Sequence, residues 1–252
     1  MPRFRTQEEY DNAGAVYGLT GCIGTGKSEV VKVIRADWGY PVLDADVIAR
    51  EVVAPGTVAS LLLRLVFGRN LYRRNEQGNL ELDRKRLSEI AFGNPRALNL
   101  LNWITQPLVC ARILWRVFLL RYVAGVRTPI VLDVPLLYES GLSRLCNVTM
   151  VVYASRSQQF ERLRRRHPDW TDADIQQRIQ AQMALEQKML RADERIDNRG
   201  TPEELREEVT RALERLRLQV SLKARSRQKR LALALGVVFA IILVVAILNP
   251  IR

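Results

Sequence analysis

Short apolar runs alternate with longer amphipathic stretches along most of the chain. Five runs predict β-strands: 15–20, 41–44, 129–133, 148–153 and, more weakly, 194–197. Six stretches predict helices: 27–37, 46–53, 57–66, 83–92, 95–124 and 155–166. Strands that alternate with helices are typical of α/β proteins, and strands that are apolar almost throughout indicate a parallel sheet covered on both faces. We therefore predict an α/β fold with a parallel sheet, in which residues 68–82 form an irregular connection.

Two polar segments follow the last of these helices. Residues 171–192 begin with a Thr-x-x-Asp cap and continue as a long helix with few positions that face a core. Such a helix is either exposed to solvent or part of a flap over a polar site. Together with the helix at 155–166 it forms a candidate lid over 155–192. A further helix at 201–222 ends the folded domain.

The segment 231–248 reads LALALGVVFAIILVVAIL and holds no charged or amide side chain. Its eighteen residues reach the lower limit for a helix that crosses a bilayer, and a buried core helix is the alternative. The basic linker 223–230 (KARSRQKR) precedes it, and residues 249–252 follow. The positive-inside rule then places the body, 15–222, in the cytosol. We expect a tail-anchored protein of the mitochondrial outer membrane or the endoplasmic reticulum.

The net charge of the chain indicates little about its partners beyond a weakly basic folded domain. The 252 residues carry a net charge of +12, half of it from six basic residues at position 223 and beyond. The weakly basic remainder suits an enzyme that handles polyphosphates, and we expect no nucleic-acid partner. The N-terminal extension, 1–14, lacks the apolar core of a secretory signal. Three cysteines without a CxxC pair argue against a disulfide framework or a zinc site.

The first candidate chemistry lies in a glycine-rich turn. Its pattern, Gly-x-x-x-x-Gly-Lys-Ser, follows the predicted strand 15–20 and precedes a predicted helix, which is the context of a phosphate-binding P-loop. Backbone N–H groups in such a turn and the start of the helix attract phosphate. The predicted nucleotide-binding residues are Gly21, Cys22, Ile23, Gly24, Thr25, Gly26, Lys27 and Ser28. Lys27 would contact the β- and γ-phosphates of ATP, and the Ser28 hydroxyl would bind Mg²⁺.

Carboxylates follow two other predicted strands. Asp133 ends the run 129–133 and is a candidate Mg²⁺ ligand, with helix capping as the alternative. Asp44 ends the run 41–44, and Asp46 stands one step beyond it, at the sheet edge where ligands bind in such folds. Asp46 could orient or deprotonate a substrate hydroxyl, or it could cap a helix. Arg50, one helical turn further on, is placed to pair with an anionic substrate group.

Four stretches together resemble the dephospho-CoA kinase family. They are YGLTGCIGTGKSEV, VLDADVIAREVVAPG, VLDVPLLYESGL and RADERIDNRGTPEEL, in the family's order and spacing. The resemblance covers about 15–220 and implies a three-layer P-loop NTPase fold with a helical lid. It also implies that Mg²⁺-ATP donates its γ-phosphate to the ribose 3′-hydroxyl of dephospho-CoA, the last step of coenzyme A biosynthesis.

The resemblance also implies roles for individual residues. Asp46 would be the catalytic carboxylate, and Lys27 would be a second catalytic residue. Asn198 would lie where the adenine of ATP is recognised. The acceptor side would comprise Asp44, Arg50, Pro135, Leu136, Leu137 and Glu139. Three lid arginines would close over the transferring phosphoryl group: Arg162, Arg166 and Arg178.

Two departures from the family pattern bear on activity. Cys22 replaces a usual glycine, which would introduce strain if that position required a positive φ. Its thiol is either a small packed group or an oxidation-sensitive one. Gln106 stands in Thr-Gln-Pro where the family commonly has His-Pro, so a charged role is in doubt there. Two alternatives remain: a kinase of another small acceptor, such as a nucleoside or nucleotide, and a membrane-tethered nucleotide-binding scaffold with little activity.

Overall fold

The computed structural model describes residues 12–74 and 77–223, and within them it has a five-stranded parallel sheet. The strands of this part are β1 (Val16–Gly21), β2 (Val42–Asp44), β3 (Tyr72–Arg74), β4 (Leu80–Leu82), β5 (Ile130–Asp133), β6 (Val148–Tyr153) and β7 (Glu194–Asp197). The sheet order is β2-β5-β1-β6-β7, and every neighbouring pair is parallel. All five predicted strands are confirmed.

The helices cover both faces of this sheet. In the described ranges they are α1 (Lys27–Val33), α2 (Ala45–Val52), α3 (Val58–Phe67), α4 (Arg84–Gly93), α5 (Pro95–Phe118), α6 (Arg156–Arg166), α7 (Asp172–Gln180), α8 (Leu185–Arg191) and α9 (202–223). Single π-helical turns extend α1 through Ile34–Trp38 and α5 through Leu119–Val123.

The sheet is buried because each face packs against its own helices. Tyr17 and Met150 meet α1 and α9 on one face, whereas Leu132 and Val16 meet α2 and α5 on the other. β1 is buried along its whole length, as expected for a strand covered on both sides. The α/β class and the layered architecture predicted from the sequence are therefore confirmed.

The connection 68–82 is not wholly irregular as predicted, because β3 and β4 pair there as an antiparallel ladder. Each strand has only three residues, and of these Tyr72 alone is buried. The hydroxyl of Tyr72 donates to the carbonyl oxygen of Val53 at 2.8 Å, which ties the ladder to the end of α2. So short a ladder leaves too little alternation in the sequence to predict it.

The predicted long helix 171–192 is two helices, α7 and α8, separated at 181–184. The backbone N–H of Met183 leaves the helical pattern and donates to Glu139 at 3.0 Å. Ile175 and Ile179 are buried, so α7 also has more core-facing positions than the sequence indicated. A tertiary acceptor for one backbone group thus breaks a segment that is helical by local pattern.

The basic linker, the apolar segment 231–248 and residues 249–252 lie outside the described residues, apart from Lys223. Most of the N-terminal extension also lies outside them. Within the described part, α5 with its extension, Pro95–Val123, is long and apolar enough to cross a membrane by length and composition. Ile104, Val109 and Ile113 of this helix are buried in the domain, so it forms part of the fold.

Candidate active site

The glycine-rich turn joins the end of β1 to the start of α1. Gly24 and Gly26 have φ angles of +80° and +85°, which side chains rarely adopt. A Cβ at Gly26 would also collide with the side-chain amide of Asn198. Both glycines are therefore required by the conformation that points the turn's N–H groups toward a phosphate.

Cys22 fits this turn without strain. No non-glycine residue in the described ranges has a positive φ, so the strain considered for Cys22 does not arise. Its thiol is buried and donates to the carbonyl oxygen of Met183 at 3.5 Å. Burial raises the pKa of this thiol, which disfavours the reactive thiolate. The structure thus favours a packed residue over a redox-sensitive one.

Lys27 and Asp133 form an ion pair at the foot of the turn. Asp133 ends β5, and β-sheet register places it beside Leu19 of β1 on one side and Asp44 of β2 on the other. Burial raises the pKa of Asp133, and the neighbouring Lys27 opposes that rise. This carboxylate therefore pairs with the turn's lysine rather than capping a helix.

Asp44 and Asp46 have different roles, one as a helix cap and one as a side chain that faces a cavity, which the sequence left open. Asp44 caps α2, because its carboxylate accepts from the backbone N–H groups of Asp46 at 2.8 Å and Val47 at 3.1 Å. The Asp46 side chain is not the cap. It lies on the wall of a large cavity, and Arg50 lies exposed one turn further along α2.

The environment of Asp46 favours proton acceptance. Its surroundings raise the pKa of Asp46 through desolvation first and the nearby negative charge of Asp44 second, while Lys27 and Arg50 act in the opposite direction. A carboxylate with a raised pKa in a cleft is a candidate general base.

A cavity of about 1200 Å³, here called the main cavity, brings most of the predicted residues together. The predicted residues on its wall are Gly21, Cys22, Ile23, Gly24, Gly26, Lys27, Ser28, Asp46, Pro135, Leu136, Arg162, Arg166 and Asn198. Leu137 is instead buried in the core between the sheet and α5. One open space thus touches the turn, a carboxylate and two lid arginines.

The carbonyl oxygen of Thr25 joins the turn both to the lid and to the residue that follows β7. It accepts from the guanidinium of Arg162 at 3.1 Å and from the side-chain amide of Asn198 at 2.7 Å. Arg162 also donates to the carbonyl oxygen of Asn198 at 2.8 Å. This network holds a cationic guanidinium beside the turn, where it can stabilise phosphate charge.

Part of the wall of the main cavity was missed from the sequence. It comes from α1 with its π-helical turn and from the start of α9, and comprises Glu29, Lys32, Val33, Ala36, Pro202, Leu205 and Arg206. Arg206 is held by an ion pair with Asp37 at 3.1 Å. The apolar members of this part of the wall offer a surface on which a flat heterocycle can pack. The only sequence signal for it was that the predicted helix 201–222 begins just after Asn198.

Lys188, on α8, is fully buried. Its ammonium donates to the carbonyl oxygen of Pro135 at 2.7 Å and contacts Glu139 at 2.9 Å. Burial alone would raise the pKa of Glu139, but hydrogen bonds from Lys188 and from backbone N–H groups, including that of Met183, lower it. Glu139 therefore connects the 135–139 segment to the lid rather than lining the main cavity.

Arg178, the third predicted lid arginine, does not line the main cavity. The guanidinium of Arg178 lies 4.1 Å from the ring centre of Trp170, which in turn stacks on His167 at 3.8 Å. Arg178 is thus held in a stack on α7, whereas Arg162 and Arg166 line the main cavity.

Gln106 has a structural contact. Its side-chain amide donates to the carbonyl oxygen of Ser140, which ties α5 to the segment after β5. This arrangement needs a neutral donor and no charge, so the replacement of a family histidine is compatible with an intact cleft.

The residues at the foot of the turn fit a magnesium nucleotide. Ser28 and Asp133 supply the hard oxygen ligands that Mg²⁺ prefers, and Mg²⁺ is usually held by one or two protein ligands together with phosphates. Across 12–74 and 77–223 no group of three or more His, Cys, Asp or Glu side chains forms a metal site. The donor set thus suits a metal that arrives with the nucleotide.

We predict that Lys188→Met lowers the free energy of unfolding by about 2 kcal/mol, because it leaves the carbonyl oxygen of Pro135 and the Glu139 carboxylate without their buried donor. Adding Glu139→Gln should recover part of that loss. Lys32→Met, which removes an exposed lysine, should change it by less than about 0.5 kcal/mol. Equilibrium urea unfolding of the full chain measures all three, and equal values for the two lysine variants would contradict the role given to Lys188.

Comparisons with known proteins identify the family of the chain. The dephospho-CoA kinase family model matches residues 15–204. A dephospho-CoA kinase of Enterococcus faecalis is 38% identical over 199 residues, covering 79% of this chain and 96% of that one. A dephospho-CoA kinase domain-containing protein of Danio rerio is 40% identical over 195 residues, covering 77% and 82%. The crystal structure of TT1252 from Thermus thermophilus aligns with a TM-score of 0.63 and 29% identity, covering 80% and 97%. The chain therefore belongs to the dephospho-CoA kinase family.

Proposed function

We propose that this protein transfers the γ-phosphate of ATP to the 3′-hydroxyl of the ribose in dephospho-CoA, giving CoA and ADP. The observation that carries this proposal is the position of Asp46 on the wall of the same cavity as the phosphate-binding turn. A proton acceptor and a phosphate-binding turn in one cavity are the two parts that phosphoryl transfer to an alcohol requires.

The donor side is built from the turn. Backbone N–H groups and Lys27 bind the β- and γ-phosphates, and Ser28 and Asp133 would hold Mg²⁺, which neutralises charge on the phosphates when bound. Nucleotide binding would draw Lys27 toward the phosphates and release Asp133 from its ion pair. The apolar part of the wall beside Pro202 and Leu205 would pack against the adenine, and Asn198, just after β7, lines the same cavity.

The acceptor side provides the base. Asp46 takes the proton of the 3′-hydroxyl as the oxygen bonds to the γ-phosphorus, and the bond from that phosphorus to the β–γ bridging oxygen breaks, so ADP leaves. Asp44 holds the start of α2 so that Asp46 is presented to the cleft. Arg162 and Arg166 supply positive charge from the lid side and help to exclude water.

Neither alternative considered for the sequence gains a specific supporting observation. A nucleotide-binding scaffold has no need for Asp46, Lys27 and Arg162 on the wall of one cavity. A kinase of another small acceptor would share the turn, but the family to which the chain belongs is named for dephospho-CoA.

We further propose that segment 231–248 anchors the enzyme in a membrane, with residues 15–222 in the cytosol. Its support is the uncharged eighteen-residue run and the basic linker before it. The mitochondrial outer membrane and the endoplasmic reticulum both fit such a tail.

The full chain with Mg²⁺-ATP should convert dephospho-CoA to CoA. Lys27→Ala should lower kcat/KM at least about 100-fold, because it removes charge stabilisation of the phosphates. Asp46→Asn should lower kcat by about 100-fold or more, because the hydroxyl loses its proton acceptor. Chromatography of the product measures both. A variant at the stacked Arg178, Arg178→Gln, is the control and should retain most of the activity; an active Asp46→Asn enzyme would contradict the role of Asp46.

The pH dependence of kcat/KM should reflect the raised pKa of Asp46. The ionised base is the active form, so activity should be lost as the pH falls through that pKa. Asp44→Asn should shift this acid limb to lower pH, because it removes a negative charge that raises the pKa of Asp46, while asparagine still caps α2. Asp172→Asn makes the same charge change on the lid and should leave the limb in place. An unmoved or upward-shifted limb in Asp44→Asn would contradict the account.

A further inference from the structure

Exposed apolar side chains are concentrated in one part of the molecule. Of the 19 large hydrophobic residues that are exposed in the described ranges, 14 lie within 58–123. This segment comprises α3, the β3–β4 ladder, α4 and α5 with its extension. Contiguous apolar surface of this kind marks an interaction site, whereas single exposed apolar residues are ordinary.

The outer side of α5 carries the longest exposed run. Leu100, Trp103, Leu114 and Phe118 are spaced so that they share one side of the helix, and all four are exposed. The same helix binds Glu51 through Arg112 and Arg116 on a different side. The outer side of α5 is thus apolar over most of its length.

The C-terminal end of α5 and its extension present three neighbouring aromatic rings, of which Trp115 and Phe118 are stacked and Phe118 and Tyr122 are tilted. The ring centres of Trp115 and Phe118 are 5.5 Å apart, and those of Phe118 and Tyr122 are 5.0 Å apart. Their exposed fractions are 50%, 45% and 74%. We call Trp115, Phe118 and Tyr122 the aromatic stack.

The aromatic stack lies at the same edge of the domain as the end of the described chain. Arg121 lies between Phe118 and Tyr122 in the sequence, and its side chain packs against Gly14, just before β1. Asn12 bonds to the Ser221 hydroxyl at 3.1 Å near the end of α9. Lys223 pairs at 3.1 Å with Asp193, which immediately precedes β7. All these contacts lie where the parallel strands begin, whereas the phosphate-binding turn lies where β1 ends.

Positive charge is concentrated in the same part of the chain as the exposed apolar side chains, and in the residues from position 223 onward. Segment 58–127 contains twelve basic and four acidic residues, a net charge of +8, and 223–252 adds +6. The rest of the chain therefore has a net charge of −2. Exposed aromatic rings within a segment of strong positive charge match an anionic lipid surface, where tryptophan and tyrosine occupy the headgroup level. Two copies of so basic a segment would repel each other.

We propose that the aromatic stack lies on the surface of an anionic lipid bilayer, with the active-site cleft facing away from it. This inference rests on the membrane anchor put forward under the proposed function. Residues 224–230 span at most about 25 Å between the end of α9 and the apolar segment, so the anchor holds this edge of the domain close to the bilayer. The cleft, at the opposite edge of the sheet, stays open to soluble ATP and dephospho-CoA.

Fluorescence quenching by lipid bromine tests the proposal on the full chain, because segment 231–248 holds no tryptophan and any quenching reports on the domain. The chain is bound to vesicles of phosphatidylcholine and phosphatidylserine, with or without brominated acyl chains. We expect brominated lipid to quench wild-type fluorescence, and Trp115→Phe to reduce the quenched part at least about twofold. Trp170→Phe, a tryptophan stacked on the lid, is the matched control and should leave the quenched part unchanged.

Three outcomes would overturn the proposal. If the chain floats with the vesicles but its fluorescence is not quenched by bromine, the aromatic stack lies away from lipid. Equal quenching in the wild type and in Trp115→Phe would lead to the same conclusion. Self-association in detergent that Phe118→Ser abolishes, together with unquenched fluorescence, would assign the face to a second copy. A chain that does not float at all would refute both anchor and face. Conversion of dephospho-CoA in the same samples is a separate readout, so failure of the membrane proposal and failure of the kinase proposal are distinguishable.

Discussion

The parallel pairing of β1 with β5 and of β5 with β2 is the constraint on which the active site depends. It sets Asp133 beside Leu19 on one side and beside Asp44 on the other, so the ends of three strands meet at one edge of the sheet. A one-residue slip would move each side chain to the opposite face, and burial of both faces makes that slip costly. The ion pair between Lys27 and Asp133, and the presentation of Asp46 beside it, therefore follow from strand register rather than from any single contact.

The lid depends on a second set of contacts that are buried and charged. Arg162 and Asn198 hold the carbonyl oxygen of Thr25, and Lys188 with Glu139 holds the junction between α7 and α8. Each set joins a lid element to a segment that follows a central strand. Movement of the lid must then alter the turn and the 135–139 segment together, which gives a physical route by which closure over a nucleotide could arrange the acceptor side.

The sequence was sufficient for features that depend on local pattern. Buried strands predicted the sheet, and the glycine spacing predicted the turn around Gly24 and Gly26. It was insufficient where a distant group decides the structure: the acceptor that breaks the helix at Met183 is Glu139, and burial of Lys188 is possible only because Pro135 and Glu139 satisfy its ammonium. Whether Asp46 and Asp133 cap helices could likewise not be predicted, since a capping carboxylate and one that faces a cavity or an ion-pair partner look the same in sequence.

The phosphate-binding turn lies at one edge of the sheet, and we propose that the opposite edge lies on a membrane. The central claim is the chemistry at the first edge. The most direct measurement is kcat/KM of the full chain with Mg²⁺-ATP for dephospho-CoA, compared with adenosine and adenosine monophosphate under the same conditions. We expect dephospho-CoA to be preferred by about 100-fold or more, because a cleft shaped for one acceptor discriminates through contacts that the others lack. Equal or faster phosphorylation of either smaller acceptor, or ATP binding without transfer to any of the three, would contradict the account.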